Sequence, residues 1–295
     1  MDELNIIKTL IKLNPQTKSE LQKTIRYIST LTKKPMFPNS YFLQLYHKFL
    51  KKGTIKENTT LARLLTVRKI RSISGVAVIT VATKPFPCPG KCIYCPTQSA
   101  MPKSYLNNEP AIMRAMRNKF DPFLQTQERI KTLENNGHNT NKLEIIIIGG
   151  TWSFLPKYYQ TWFIKRIFEA CNNKKSPSLL DAHKSNETST HRVIGLTIET
   201  RPDYINISEI KRLRKLGVTR VELGVQSLYD DILKLNKRGH LTNKTILATR
   251  LLKDSGFKIC YHMMPNLLGS NFEKDIKMFQ ELFINENYKP DMLKI

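Results

Sequence analysis

The sequence predicts an α/β fold of repeated strand and helix units, with about six parallel strands, preceded by a small basic helical module. Three observations predict it. Six short apolar runs rich in Val, Ile and Leu recur after residue 74, amphipathic stretches with helical spacing separate them, and the chain before them is basic and contains no such run. Strands that are apolar on both faces and separated by helices belong to a parallel sheet covered on both sides. The pattern alone leaves an open doubly wound sheet and a barrel or partial barrel both standing.

The elements follow in order. In residues 1–73 apolar positions fall at helical spacing in Leu4, Ile7, Leu10 and Ile11, and again in Tyr41, Leu45 and Phe49, while Pro35 and Pro38 break the segment into two helical parts. The spacing of Tyr41, Phe42, Tyr46 and Phe49 places these aromatic residues in a core rather than on a base-stacking surface. Strands are expected over 75–83, 143–148, 193–198, 218–225, 257–262 and 292–295. Helices are expected over 122–133, 158–170, 207–216, 244–254 and 271–283. Residues 171–192 are polar and lack a clear period, so a surface excursion is expected there.

Charge narrows the partners. The 295 residues carry 48 Lys and Arg against 24 Asp and Glu, a net +24, which implies a polyanion such as nucleic acid. Residues 1–75 hold 15 of the basic residues and only 4 acidic ones, which makes the N-terminal quarter the expected phosphate-contacting region. Its candidates are Lys23, Arg26, Lys33, Lys34, Lys51, Lys52, Arg68, Lys69 and Arg71. No apolar run approaches the roughly 20 residues of a membrane span, so no membrane partner is expected and a cytoplasmic location is. Neither a P-loop nor a GxGxxG occurs, which removes the usual nucleotide cradles.

The chemistry concentrates in FPCPGKCIYCP, residues 86–96, where Cys88, Cys92 and Cys95 fall directly after the first apolar run. In a reducing compartment such a cluster binds metal or does redox chemistry more often than it forms disulfides, and the odd total of 5 cysteines agrees. A structural zinc site wants four protein ligands, and no fourth thiol or imidazole lies at finger-like distance. Three thiolates suit a 4Fe-4S cluster with one iron open to a ligand. Gly90 and the flanking Pro87, Pro89 and Pro96 fit a tight loop around it. Zinc and unmetallated thiols remain alternatives to the cluster at this point.

The C-x3-C-x2-C spacing after a first strand resembles the radical S-adenosylmethionine superfamily, whose fold is a partial (β/α)6 barrel and which keeps an aromatic residue, here Tyr94, before the third cysteine. The resemblance implies that Cys88, Cys92 and Cys95 hold the cluster and that its open iron chelates S-adenosylmethionine. It also implies that Gly149, Gly150 and Thr151 contact the cofactor's amino group, where missing side chains expose backbone carbonyls. Glu199 and Gln226 stand at strand ends where members contact the cofactor, although buried polar groups there can equally serve neighbouring loops. Arg201 and His240 could face a substrate phosphate or brace a loop.

Further motifs occur in order: EPAIMRAMRNKFDPFLQTQERI (109–130), IETRPDY (198–204), ELGVQS (222–227), NKRGH (236–240), KDSGFK (253–258), HMMP (262–265) and PDMLKI (290–295). Together they resemble the Elongator protein 3 family of tRNA uridine carboxymethyl synthases. That resemblance implies tRNA as partner, an electron donor, and formation of 5-carboxymethyluridine at the wobble position with acetyl-CoA as carboxymethyl source. It places the acyl-CoA-contacting lysine at Lys142 and an active-site residue at Lys294, at the mouth of the sixth strand. The cysteine loop is one residue shorter than in most archaeal and bacterial relatives, and the Gly-Gly-Pro they keep after the third cysteine is absent.

The expected organisation is a basic helical tRNA-binding module over 1–73 and a radical S-adenosylmethionine core over 74–295. The sequence stops at the sixth strand and does not include the acetyltransferase-like half of that family, so either a fragment of a longer protein or a chain completed by another is expected. The expectation is a chain inactive alone, completed by a separate acetyltransferase-like half or by Elongator-type subunits. A radical enzyme with another substrate and a noncatalytic tRNA-binding module are the competing readings.

Overall fold

The computed structural model describes residues 1–295, except for the side chain of Lys69. The chain forms two compact units, one of Met1–Ala77 with Glu128–Lys142, the other of Val78–Gln127 with Leu143–Ile295.

The first unit begins with four helices, α1 (Glu3–Leu13), α2 (Lys18–Thr32), α3 (Asn39–Lys51) and α4 (Thr59–Leu65). Side-chain oxygens of Asp2, Thr17 and Asn58 accept the otherwise unpaired N–H groups at the starts of α1, α2 and α4. Helical breaks come at more places than Pro35 and Pro38. Asn14 ends α1 in the left-handed conformation just before Pro15, and Gly53, at φ +66°, follows α3. Ile7, Leu10, Ile25, Phe42, Tyr46 and Leu65 belong to one buried cluster, as the helical spacing of their aromatic members requires.

The second unit is a six-stranded sheet in the order β1 (Ala77–Ala82), β2 (Lys142–Ile148), β3 (Arg192–Thr200), β4 (Arg220–Gln226), β5 (Lys258–Met263) and β6 (Met292–Lys294). Its strands are parallel, and they lie in sequence order. A doubly wound sheet reverses direction at a switch point, whereas this order with helices between strands curls one way into a partial barrel. The helices are α5 (Pro110–Arg117), α6 (Pro122–Asn135), whose residues from Glu128 onward belong to the first unit, α7 (Lys157–Asn172), α8 (Leu179–Asn186), α9 (Ile207–Lys215), α10 (Asp230–Leu235), α11 (Thr242–Asp254) and α12 (Phe272–Ile284).

At the β1 edge, buried Gln125 imitates a neighbouring strand: its amide donates to the Ala82 carbonyl at 3.0 Å and accepts from the Ala82 N–H at 2.9 Å. An edge strand thus keeps its polar groups paired. The expected surface excursion over 171–192 contains α8, which corrects the sequence reading. Ser178 accepts from the Asp181 N–H at its start, and the Asn186 amide reaches the Asn172 side chain and the His191 carbonyl. The Ser-x-x-Asp cap was the signal, hidden in a segment too short and polar to show a helical period.

Candidate functional site

A cavity of about 710 Å³ opens at the C-terminal ends of the strands, where βα folds gather the residues of different loops. One wall is the irregular loop after β1. Cys88, Cys92 and Cys95 line the cavity as half-buried free thiols, with Tyr94 between the last two. The Gly90 N–H donates to Cys88 Sγ at 3.4 Å, the Cys95 N–H to the Cys92 carbonyl at 3.2 Å, and the Ile93 N–H to the Asn236 carbonyl at 3.2 Å, which ties the loop to the end of α10. Outside the loop, Thr151 Oγ1 lies 3.7 Å from Cys88 Sγ, Ser104 Oγ lies 3.2 Å from Cys95 Sγ, and Arg238 Nη1 lies 3.5 Å from Cys92 Sγ.

The three sulfurs do not crowd around one point. Among the described residues, the set of three metal-ligating side chains with donor atoms within 4.8 Å of one another is Glu222, Cys260 and His262. A tetrahedral zinc site, with Zn–S near 2.3 Å, needs sulfurs about 3.8 Å apart. At least one pair of the loop sulfurs therefore stands more than 4.8 Å apart. The two other cysteines stay protonated, since burial pushes the thiol of Cys171 up to about 12 and that of Cys260 up to about 11.

The opposite wall is carried by strands. Glu199, 8% exposed at the end of β3, accepts from the Tyr105 hydroxyl at 2.8 and 2.7 Å. In β4 Glu222 accepts from Lys294 Nζ at 2.8 Å and lies 2.6 Å from His262 Nε2. Register explains the grouping: Glu222 pairs with Cys260, Gly224 with His262, and His262 with Lys294. Alternate residues of neighbouring parallel strands therefore point into the same lumen. Burial pushes the Glu199 carboxyl up. Burial also acts upward on Glu222, but hydrogen bonds from His262 and Lys294 outweigh it and hold the group down to about 2. Burial works against charge on Lys294, yet Glu199 and Glu222 raise its pKa, so the ammonium persists. Lys294 itself supplies a cation to the Glu222, Cys260 and His262 group.

The remaining sequence candidates divide. Gly150 (φ +96°) and Thr151 line the cavity. Gly149 (φ +136°) is not among the lining residues and has a steric reason of its own: a Cβ there would fall 2.0 Å from Thr83 Oγ1. Gln226 sits at a register irregularity of β4 with φ +74°, strain that turns its side chain into the cavity wall, and its buried Oε1 has no hydrogen-bond partner among the described residues. Lys142 opens β2 as an exposed residue and does not line the cavity. Sequence reasoning missed Tyr105, Arg238, Glu222 and His262 as site residues. Glu222 carried a signal, a charged residue inside the apolar run VELGV.

Against known proteins, the family described as the Radical SAM superfamily matches residues 87–282. A tRNA uridine(34) acetyltransferase of Methanocaldococcus infernus is 52% identical over 254 residues, covering 84% of this chain and 48% of that protein. The human Elongator complex protein 3 is 40% identical over 242 residues, covering 78% and 44%. The solved structure of the archaeal Methanocaldococcus infernus Elp3 with an N-terminal deletion (1–46) aligns with a TM-score of 0.64 at 48% identity, over 75% of this chain and 45% of that one. The chain thus spans about half the length of the curated relatives it matches.

Proposed function

The chain belongs to the radical S-adenosylmethionine superfamily, and from that premise we propose that it forms the radical half of an enzyme modifying the wobble uridine of tRNA. The observation that carries this reading is the meeting, in one cavity, of three loop thiols, the Gly150–Thr151 edge and the strand-borne carboxylates. The donor set fits a 4Fe-4S cluster, with three soft thiol ligands on one loop at the cavity, and the unpartnered Gln226 oxygen on the opposite wall suits a cationic donor such as the cofactor's ammonium. Cys88, Cys92 and Cys95 would hold such a cluster, which, once reduced by an external electron donor, would supply one electron to S-adenosylmethionine.

The chain's own residues do the rest. Gly150, with Gly149 setting the turn and Thr151 lining the cavity beside it, would offer its backbone carbonyl to the cofactor's ammonium, and Gln226 Oε1 would accept from it. Glu199 accepts from a cofactor hydroxyl beside the Tyr105 contact it already makes, and Tyr94 closes the wall between two ligands. Lys294 is the catalytic candidate, because its ammonium stands between Glu199 and Glu222 at the cavity mouth and holds a proton beside any substrate there. Acetyl-CoA is the proposed carboxymethyl source, with Lys142 as one contact. A lone ammonium holds a flexible ligand weakly, so the acyl site needs an acetyltransferase-like half, in the same chain or as a separate or Elongator-type subunit.

The tRNA is assigned to the basic helical unit, where Lys23, Arg26, Lys33, Lys34, Lys51, Lys52, Arg68 and Arg71 are all exposed. The ninth candidate, Lys69, lies outside the described side chains. No helix among the described residues is long and apolar enough to cross a membrane, and a cytoplasmic site of action accords with tRNA and an electron donor as partners. The test is incubation of the protein with reductant, S-adenosylmethionine, acetyl-CoA and tRNA, followed by nucleoside mass spectrometry. We expect 5-carboxymethyluridine only when an acetyltransferase-like half is supplied. Its absence under both conditions overturns the reading.

A further inference from the structure

Arg201 follows β3 in the segment IETRPDY, and it is only 6% exposed. Two of its nitrogens are committed, since Nε and Nη2 each donate to a different oxygen of Asp203 at 2.9 Å. The third, Nη1, is buried and has no hydrogen-bond partner among the described residues. A guanidinium remains charged in a protein, so an orphaned N–H on it is costly unless something takes it up.

Two glycines make room for this group. A Cβ on Gly90, within the cysteine loop, would fall 2.7 Å from Arg201 Nη1 and 3.6 Å from both Cys88 Sγ and Cys92 Sγ. A Cβ on Gly239, at φ +82°, would fall 2.9 Å from Nη2. The free edge of the guanidinium therefore abuts the small space next to the Cys88 and Cys92 sulfurs, while Asp203 grips the other edge. Arg201 also lines both the large cavity and a second one of about 680 Å³ on the other side of Gly90 and Lys91.

We propose that Arg201 is a positioning residue whose free N–H and positive charge are directed at the sulfur environment of the cluster, raising its reduction potential, with Asp203 fixing the guanidinium and Gly90 and Gly239 admitting it. The physical basis is that a cluster becomes more negative on reduction. Positive charge and N–H donors near its sulfurs stabilise the reduced form over the oxidised one, and net charge and hydrogen bonding to sulfur set such potentials. This inference rests on the cluster reading given above.

The experiment is anaerobic reconstitution of the full chain with iron and sulfide, then a redox titration followed by electron paramagnetic resonance. It compares wild type with Arg201→Met, Arg201→Lys and Gly239→Ala. At a fixed potential in the titration range, the reduced-to-oxidised ratio in Arg201→Met should fall about tenfold, equivalent to a midpoint about 59 mV more negative for one electron. Arg201→Lys, which keeps the charge without the planar fork, should shift less. Gly239→Ala, which crowds Nη2 while leaving the arginine in place, should shift in the same direction.

Loaded variants at the wild-type potential overturn the proposal. So does iron loss that tracks a lowered thermal midpoint while the residual cluster keeps its potential, because Arg201 then only braces the loops. Variants that keep the wild-type thermal midpoint yet cannot be loaded support it, since the thiolates then lack their compensating charge. Wild type that takes up zinc but no iron sinks the cluster reading itself, an outcome separate from the others.

Discussion

The two walls of the cavity are built on different principles. The cysteine wall is an irregular loop whose thiols are half-buried and whose backbone is tied down by a few hydrogen bonds, among them the one from Ile93 to Asn236. The opposite wall hangs its charges on strands, where register holds Glu222, His262 and Lys294 together on the lumen side of the sheet. A loop can wrap a bulky group and release it at little cost to the fold, whereas charges on a buried sheet are part of the fold's own electrostatic balance. The wall that binds and the wall that stabilises should therefore respond differently to the same kind of substitution.

Glu222→Ala gives the largest expected contrast. It leaves His262 and Lys294 facing a buried wall without their carboxylate, and should cost about 2–3 kcal/mol in urea unfolding. That is below the roughly 3–5 kcal/mol of a fully buried pair, because the Lys294 side chain is 51% exposed and can turn to water. Cys92→Ala should cost less than about 1 kcal/mol in the same assay, as a half-buried thiol with one long contact to Arg238. Equal costs would erase the distinction between the walls.

A smaller effect sharpens it. Burial, followed by the neighbouring Arg238 charge, depresses His240 from 6.5 to about 4. The unfolded chain then binds a proton between those values that the folded chain refuses. Stability from this group is complete above pH 6.5 and is lost as pH falls towards 4. Glu222 acts in a lower window: its stabilisation is present above 4.5 and lost as pH falls towards about 2. For His240 the loss should be on the order of 1–2 kcal/mol, with water in the adjoining cavity softening it. His240→Gln should flatten the change in urea midpoint between pH 6.5 and 4, and an unchanged profile would show that the imidazole takes up its proton within the fold.

The same contrast explains what could be read in the sequence. The cysteine loop was legible because its chemistry is local: three thiols, a glycine and prolines within eleven residues need no partner from elsewhere to be recognised. The strands were legible as apolar runs, and their parallel pairing followed from the helices between them. Closure towards a barrel was not carried by these runs, because an open sheet and a curled one have the same pattern and differ only in strand order; it came with the family resemblance of the cysteine spacing. Glu222, His262 and Lys294 are separated by 40 and 32 positions and meet only through register. Arg201 shows the same limit from another side. Its pair with Asp203 lies within one short segment, but its approach to Gly90 depends on a contact between distant loops. The return of Glu128–Lys142 to the helical unit, across the middle of the chain, also had no local signal.

On the proposed function, the three loop thiols hold a cluster with one iron open to S-adenosylmethionine. Anaerobic reconstitution with iron and sulfide, followed by electron paramagnetic resonance of the reduced protein with and without S-adenosylmethionine, tests it most directly. About four irons per chain and a signal that changes when the cofactor is added are expected. Both features should disappear in Cys88→Ala, Cys92→Ala or Cys95→Ala and persist in Cys171→Ala and Cys260→Ala. Stoichiometric zinc without iron, or a cluster whose signal ignores the cofactor, would contradict it.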